Sequence, residues 1–153
     1  MAEKEPAETR SYSVGLTWSG DAKGCGEILA GGGTVKIPIG GSVGLGGCGI
    51  GANPEELLLG AVGACFINTW AIFLKKLAVG YAEPSIRVDG ILANDPAGGF
   101  RMTSATIHAR VPASLLAEKK DAVARTLQLA EKYCIISKAV RGSMPINVEV
   151  EEV

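Results

Sequence analysis

Two cysteines stand where their surroundings could make them reactive. Cys65 lies inside NPEELLLGAVGACF (53–66), a stretch that reads as an apolar helix, and Cys134 lies in EKYCIISK (131–138). A thiolate is the nucleophilic form of cysteine, and placement near a helix N-terminus lowers the thiol pKa. Cys134 falls where one helical pattern gives way to another, so a fresh helix start is close to it. Gly60, Gly63 and Ala64 put small residues on the turn before Cys65, which lets another segment approach the helix closely. The plain alternative for each cysteine is a small, buried hydrophobe.

Glu55 and Glu56 suit the positive end of the helix dipole. Glu55 lies ten residues before Cys65, about 15 Å along a helix axis. It cannot touch the Cys65 of its own chain. It acts on a thiol only through an intermediary or across a dimer in which two copies of the helix run antiparallel.

The remaining candidates fare less well. GLGGCG (44–49) fits the letters of a dinucleotide-binding loop, but the helix begins later, at Pro54, and the stretch downstream is apolar. A flexible loop is expected, with Cys48 incidental. Cys25, Cys48, Cys65 and Cys134 are too few and too scattered for a disulfide-stapled scaffold, and there is no CxxC. With His108 as the single histidine, neither a metal site nor a cofactor is expected.

The whole chain sets the frame. Its 153 residues are long enough for one domain with a proper core. Fifteen basic and 16 acidic residues nearly cancel, which argues against a nucleic-acid partner. Residues 1–10, MAEKEPAETR, read as a disordered polar tail without the apolar core of a secretory signal, so a cytoplasmic location is expected. Leu57–Leu74 holds 18 residues without a charge, the lower limit for a membrane span. Asn68, Thr69 and the glycines favour instead a central helix packed on all sides, away from any membrane.

The elements that position these residues follow from periodicity. Tyr12, Val14, Leu16 and Trp18 alternate, giving a half-buried strand over 11–18, and two more strands are expected at CGEILA and TVKIPI. Asn53 as N-cap and Pro54 at the first position open a helix that runs to about Val79, before Gly80. Strands over 85–93 and 99–111 form a hairpin around Asn94-Asp95-Pro96. A second helix carries Leu116, Val123, Leu127 and Ala130 on one face. A short helical piece, IISKAVR, and a strand over 146–153 complete the order βββ-α-ββ-α-α-β, an α+β domain over 11–153.

The segment GANPEELLLGAVGACF, followed about seventy residues later by a cysteine in EKYCIIS, resembles the OsmC/Ohr family of organic hydroperoxide reductases. The likeness extends from the WSGDAKGCGEI hairpin to the final strand. It implies an intertwined homodimer whose two central helices are wrapped by sheets from both chains. It also implies that Cys65 is the peroxidatic cysteine, Cys134 the resolving cysteine and Glu55 a supporting residue acting across the dimer. Leu58, Phe66 and Trp70 would line an apolar substrate pocket, with plain core packing the alternative for each. The implied partners are an organic hydroperoxide and a small, dihydrolipoamide-like dithiol.

Two departures from the family pattern stand out. The family's active-site arginine comes from the early hairpin or from just before the NPE motif, and residues 19–26 and 42–52 contain none. Lys23, Lys36, Arg101 and Arg141 are the substitutes considered. The resolving motif is usually Cys-Pro-x-Ser, whereas here it is Cys134-Ile135-Ile136-Ser137. The competing reading is therefore a non-enzymatic protein of the same fold that binds a small hydrophobic or electrophilic molecule.

Overall fold

A computed structural model describes residues 8–153. The expected tail over 1–10 therefore lies largely outside the described residues, and its last three, residues 8–10, are exposed. The strands are β1 (Gly15–Ser19), β2 (Cys25–Ala30), β3 (Val35–Gly40), β4 (Ser85–Asn94), β5 (Phe100–Val111) and β6 (Ile146–Glu152). The helices are α1 (Pro54–Lys76), α2 (Ala113–Tyr133) and α3 (Ile135–Val140). The order is βββ-α-ββ-α-α-β, as the periodicity indicates. Two compact units divide the chain, one up to Pro54 and one from Glu55 to Val153.

The first unit is an antiparallel meander, β1-β2-β3, with Leu16 opposite Ile28 and Ile28 opposite Ile37. Asp21 builds the first turn: its carboxylate accepts the Lys23 amide (2.9 Å) and its carbonyl accepts the Trp18 indole N–H (3.1 Å). The apolar alternation does not end in burial, however. Tyr12, Leu16 and Trp18 are 91%, 61% and 49% exposed, so that face is open among the described residues. Alternation reports which face must be covered, and the cover need not come from the same chain.

In the second unit the sheet order is β4-β5-β6, with β4 and β5 antiparallel and β5 and β6 parallel. Parallel pairing needs a long crossover, which α2 and α3 supply. Val62, Phe66, Trp70 and Leu74 recur every four residues on α1, and Ala105, Ile107, Ala109 and Val111 every two on β5. With Val123, Leu127 and Ala130 of α2 they form one hydrophobic core. The buried Trp70 indole donates to Thr126 Oγ1 (2.9 Å), and that hydroxyl donates to the Val123 carbonyl (2.7 Å). The opposite face of β5 is charged. His108 lies between Asp89 (3.1 Å) and Glu149 (3.6 Å).

Helix α1 stops at Lys76, short of the expected Val79. Ala78 takes the left-handed conformation (φ 49°), its amide bonds to the Lys75 carbonyl and the Val79 amide to that of Leu74, which is a Schellman ending with alanine where glycine is usual. The Lys119 ammonium then donates to the Val79 carbonyl (3.0 Å). Nor is α1 packed on all sides. Val62, Gly63, Phe66, Trp70 and Leu74 are buried, while Gly60, Ala61, Ala64, Asn68, Ala71 and Ile72 are exposed. By length and composition this helix is also apolar enough to cross a membrane.

Candidate functional site: two thiols at a helix junction

Cys65 sits on α1 one position before the buried Phe66, so it lies at the edge of the packed face and is half-buried. Leu58, Thr69, Ile72 and Lys76 fall on its side of the helix, at spacings of seven, four, three and four residues that keep them within about 60° of one another. Cys134 closes α2 and opens α3. Its extended backbone (φ −63°, ψ 115°) turns the chain, and its sulfur accepts the Ser137 amide at 3.4 Å. The side chain is wholly buried.

The junction brings the two free thiols together. Cys65 and Cys134 are near enough that each shifts the acidity of the other, and the two environments separate those acidities. Burial raises the Cys65 pKa, but the backbone amide of Ile136, the Cys134 thiol, the Ile135 amide and the Thr69 hydroxyl all favour its thiolate. The net result lies below the ordinary thiol value. For Cys134, burial is again the largest influence; Ser137 lowers the pKa through hydroxyl and amide, and the neighbouring Cys65 raises it. The net result lies above the ordinary value. Of the two sulfurs, Cys65 is the one that ionises first.

Thr69 contributes through geometry that a helix makes available. Its hydroxyl donates to the Cys65 carbonyl (2.8 Å), a bond additional to the helical ladder, so it can turn toward the sulfur when a thiolate forms. The Ser137 hydroxyl is enclosed beside Cys134 and bonds to no other group among the described residues.

The groups that lower the Cys65 pKa most are two backbone amides, a thiol and a hydroxyl. Arg141 is engaged by the Glu131 carboxylate (2.8 Å) and carbonyl (3.2 Å), Lys36 pairs with Glu27 (3.7 Å), and Arg101 is exposed on β5. Two of the donors at Cys65 are backbone amides, those of Ile135 and Ile136. One of them depends on the departure noted above, because a proline at position 135 would have no N–H to give.

The other expected site residues are dispersed. Glu55, in the first turn of α1, stays ten residues from Cys65 on one continuous helix. Leu58 is half-buried against the core, and Phe66 and Trp70 have no exposed surface. Their place in the chain is the hydrophobic core, because the four-residue spacing that joins them to Val62 and Leu74 points them inward. Beside α1 lies a cavity of about 390 Å³, lined chiefly by Leu59, Gly63, Ala64, Ile67, Ile86 and Val88. It borders the small-residue face, not the cysteine face.

Cys48 is not incidental. It forms a disulfide with Cys25 at the start of β2, with Cα atoms 6.6 Å apart. Nothing in the 23-residue separation announces the pair. Meander folding brings the loop after β3 back to the first residue of β2, which is a tertiary event.

The comparisons with known proteins agree with the fold and the motif. The family model described as OsmC-like protein matches residues 46–149. An organic hydroperoxide resistance protein-like 1 of Staphylococcus epidermidis is 35% identical over 101 residues, covering 66% of this chain and 70% of that protein. Bacillus subtilis YmaD is 30% identical over 140 residues, covering 90% of this chain and 91% of its own. Among solved structures, an organic hydroperoxide resistance protein OsmC from Legionella pneumophila aligns over 94% of this chain and 99% of its own, with a TM-score of 0.74 at 22% identity. An OsmC-like protein from Mycoplasma pneumoniae aligns over 95% and 99%, with a TM-score of 0.79 at 16% identity. On the matched sequence and the shared α+β fold, this chain belongs to the OsmC-like family.

Proposed function

We propose that this protein is a thiol-dependent peroxidase that reduces organic hydroperoxides to alcohols. The observation that carries the reading is the contact between Cys65, with its lowered pKa, and Cys134, with its raised one. The Cys65 thiolate attacks the terminal oxygen of ROOH; the O–O bond breaks, RO⁻ takes a proton and leaves as the alcohol, and Cys65 becomes a sulfenic acid. Cys134 then attacks the Cys65 sulfur. Its proton goes to the departing hydroxide, water leaves and a disulfide forms. A small dithiol of the dihydrolipoamide type restores both thiols by exchange.

The working unit is a homodimer. The exposed apolar face of the first unit and the uncovered small residues of α1 both call for a second layer, and a second copy of this chain supplies it. In that dimer Glu55 of one copy acts near the Cys65 of the other, and the α1 cavity is filled by the partner. Its setting is the cytoplasm, away from any membrane.

The test is consumption of cumene hydroperoxide with dihydrolipoamide as reductant, beside hydrogen peroxide at equal concentration. Sustained turnover with preference for cumene hydroperoxide supports the reading. One observation favours a second reading, a binding protein of the same fold: the groups that lower the Cys65 pKa most are amides, a thiol and a hydroxyl, not a guanidinium. Absence of turnover, with tight binding of a small apolar molecule, would establish that reading instead.

A further inference from the structure

The four cysteines form two pairs, and the proposed reaction uses one of them. We propose that Cys25–Cys48 is a second thiol–disulfide exchange site, opened by a dithiol and closed by a hydroperoxide, whose state sets the order of residues 41–51. The proposal rests on the peroxidase reading for the chemical class of its reductant and oxidant.

Exposure comes first. Cys25 and Cys48 are both partly exposed, so an external thiolate can reach the bond, whereas Cys134 is buried. The two sulfurs are also held differently. Cys25 is fixed by the sheet, opposite Ser19 on one side and Gly40 on the other, so the meander does not depend on the disulfide. Cys48 is fixed by a glycine loop closed by a few backbone bonds: Gly40 to Ala52 (3.2 Å), Gly47 to Ser42 (2.8 Å) and Gly49 to Gly41 (3.1 Å). No core holds this loop, since Val43, Leu45 and Ile50 are 71%, 49% and 60% exposed. Beyond its peptide link to β3, the disulfide ties this loop to β2.

The approach of the sulfur is built into the backbone. A Cβ at Gly40 would collide with Cys48 Sγ, so β3 must end in glycine for the bond to form. The Ile50 amide donates to Cys48 Sγ at 3.4 Å. A donor on that sulfur stabilises the thiolate it becomes on departure, and the more stable thiolate is the better leaving group. Attack therefore falls on Cys25.

The exchange balances as follows. One thiolate of the dithiol attacks Cys25 Sγ, and Cys48 leaves as a thiolate and takes a proton. The second thiol of the reductant attacks the mixed disulfide, closes to a cyclic disulfide and frees Cys25. Two electrons and two protons pass to the protein. In the reverse direction a hydroperoxide oxidises one thiol to a sulfenic acid with release of the alcohol, and the other condenses with it and releases water. In the reducing compartment assigned to this protein, a lasting disulfide is rare and usually has a catalytic or sensing role.

The experiment uses the double variant Cys65→Ser/Cys134→Ser, which leaves only Cys25 and Cys48. It is treated with dihydrolipoamide under native conditions, then with one equivalent of cumene hydroperoxide. Thiol labelling and deuterium uptake are read peptide by peptide at each stage. The expected result is stoichiometric labelling of both cysteines after the dithiol, several-fold faster exchange over 41–51 with β1–β3 unchanged, and return of the disulfide after the hydroperoxide. Glutathione in place of the dithiol should leave its adduct on Cys25. A bond that opens only in denaturant, or thiols that the hydroperoxide does not join, would overturn the exchange site. Opening without change over 41–51 would overturn its control of the loop. Peptide-resolved labelling of the unmodified chain guards against a misfolded variant. Because Cys65 and Cys134 are absent from the variant, its outcome is separate from that of the peroxidase reading.

Discussion

The two cysteine pairs of this chain solve opposite problems. Cys65 and Cys134 are free thiols in contact at a helix junction, where amide and hydroxyl donors hold one below the ordinary pKa and burial holds the other above it. Cys25 and Cys48 are joined, one at the start of a strand and the other in a glycine loop with little buried surface. The helical pair has an environment that distinguishes nucleophile from resolver before any substrate arrives. The loop pair has an environment that distinguishes the sulfur attacked from the sulfur that leaves. In both cases backbone amides contribute to the distinction, those of Ile135 and Ile136 at Cys65 and that of Ile50 at Cys48.

Removing one member from each pair breaks the comparison most strongly. Cys65→Ser should lower hydroperoxide consumption by at least about 1000-fold, as loss of a nucleophile does, while Cys25→Ser should leave the first oxidation of Cys65 at its original rate. Stopped-flow peroxide consumption with both variants checks this. The next effect is on the second step. In Cys134→Ala, one equivalent of hydroperoxide should still react, but the Cys65 sulfenic acid should persist and be captured by dimedone, and turnover with dithiol should fall.

Smaller effects sharpen the electrostatic side. The oxidation rate of Cys65 follows its thiolate, so it should be level at high pH and fall as pH drops through the thiol pKa, with a midpoint below that of an ordinary thiol. Ile135→Pro restores the family's Cys-Pro motif and removes one amide donor, so the midpoint should move up in pH. The extended backbone of Cys134 already suits a following proline. Thr69→Val removes the weakest of the named donors; below the midpoint it should slow oxidation by roughly two- to tenfold, in keeping with one hydrogen bond. A pH profile of sulfenic acid formation for each variant reads both shifts.

Much of the fold is legible because periodicity is local. The alternation of Ala105, Ile107, Ala109 and Val111 and the four-residue recurrence of Val62, Phe66, Trp70 and Leu74 identify β5 and α1 and their inner faces. The helix junction at Cys134 is legible too, from the separate helical piece IISKAVR that follows it. What escapes is contact between distant segments. The 23 residues between Cys25 and Cys48 carry no signal of their meeting, and the Ile135 and Ile136 amides leave no mark in side-chain chemistry. Thr69 has a signal that could have been read: it lies four residues after Cys65, on the same helical face. Phe66 and Trp70 are ambiguous in the sequence because aromatic residues on an apolar helix suit a core and a greasy pocket equally. Only burial, complete for both, decides between them. The exposed face of Leu16 and Trp18 shows the complementary limit, that an amphipathic strand specifies a covered face but not which chain covers it.

The most direct test of the account is time-resolved mass spectrometry of the four cysteines after one equivalent of cumene hydroperoxide is added to the fully reduced protein. The account predicts a Cys65 sulfenic acid first, then a Cys65–Cys134 disulfide, both complete before Cys25 or Cys48 is oxidised. Slow oxidation spread evenly over all four thiols, with no early Cys65 species, would contradict it.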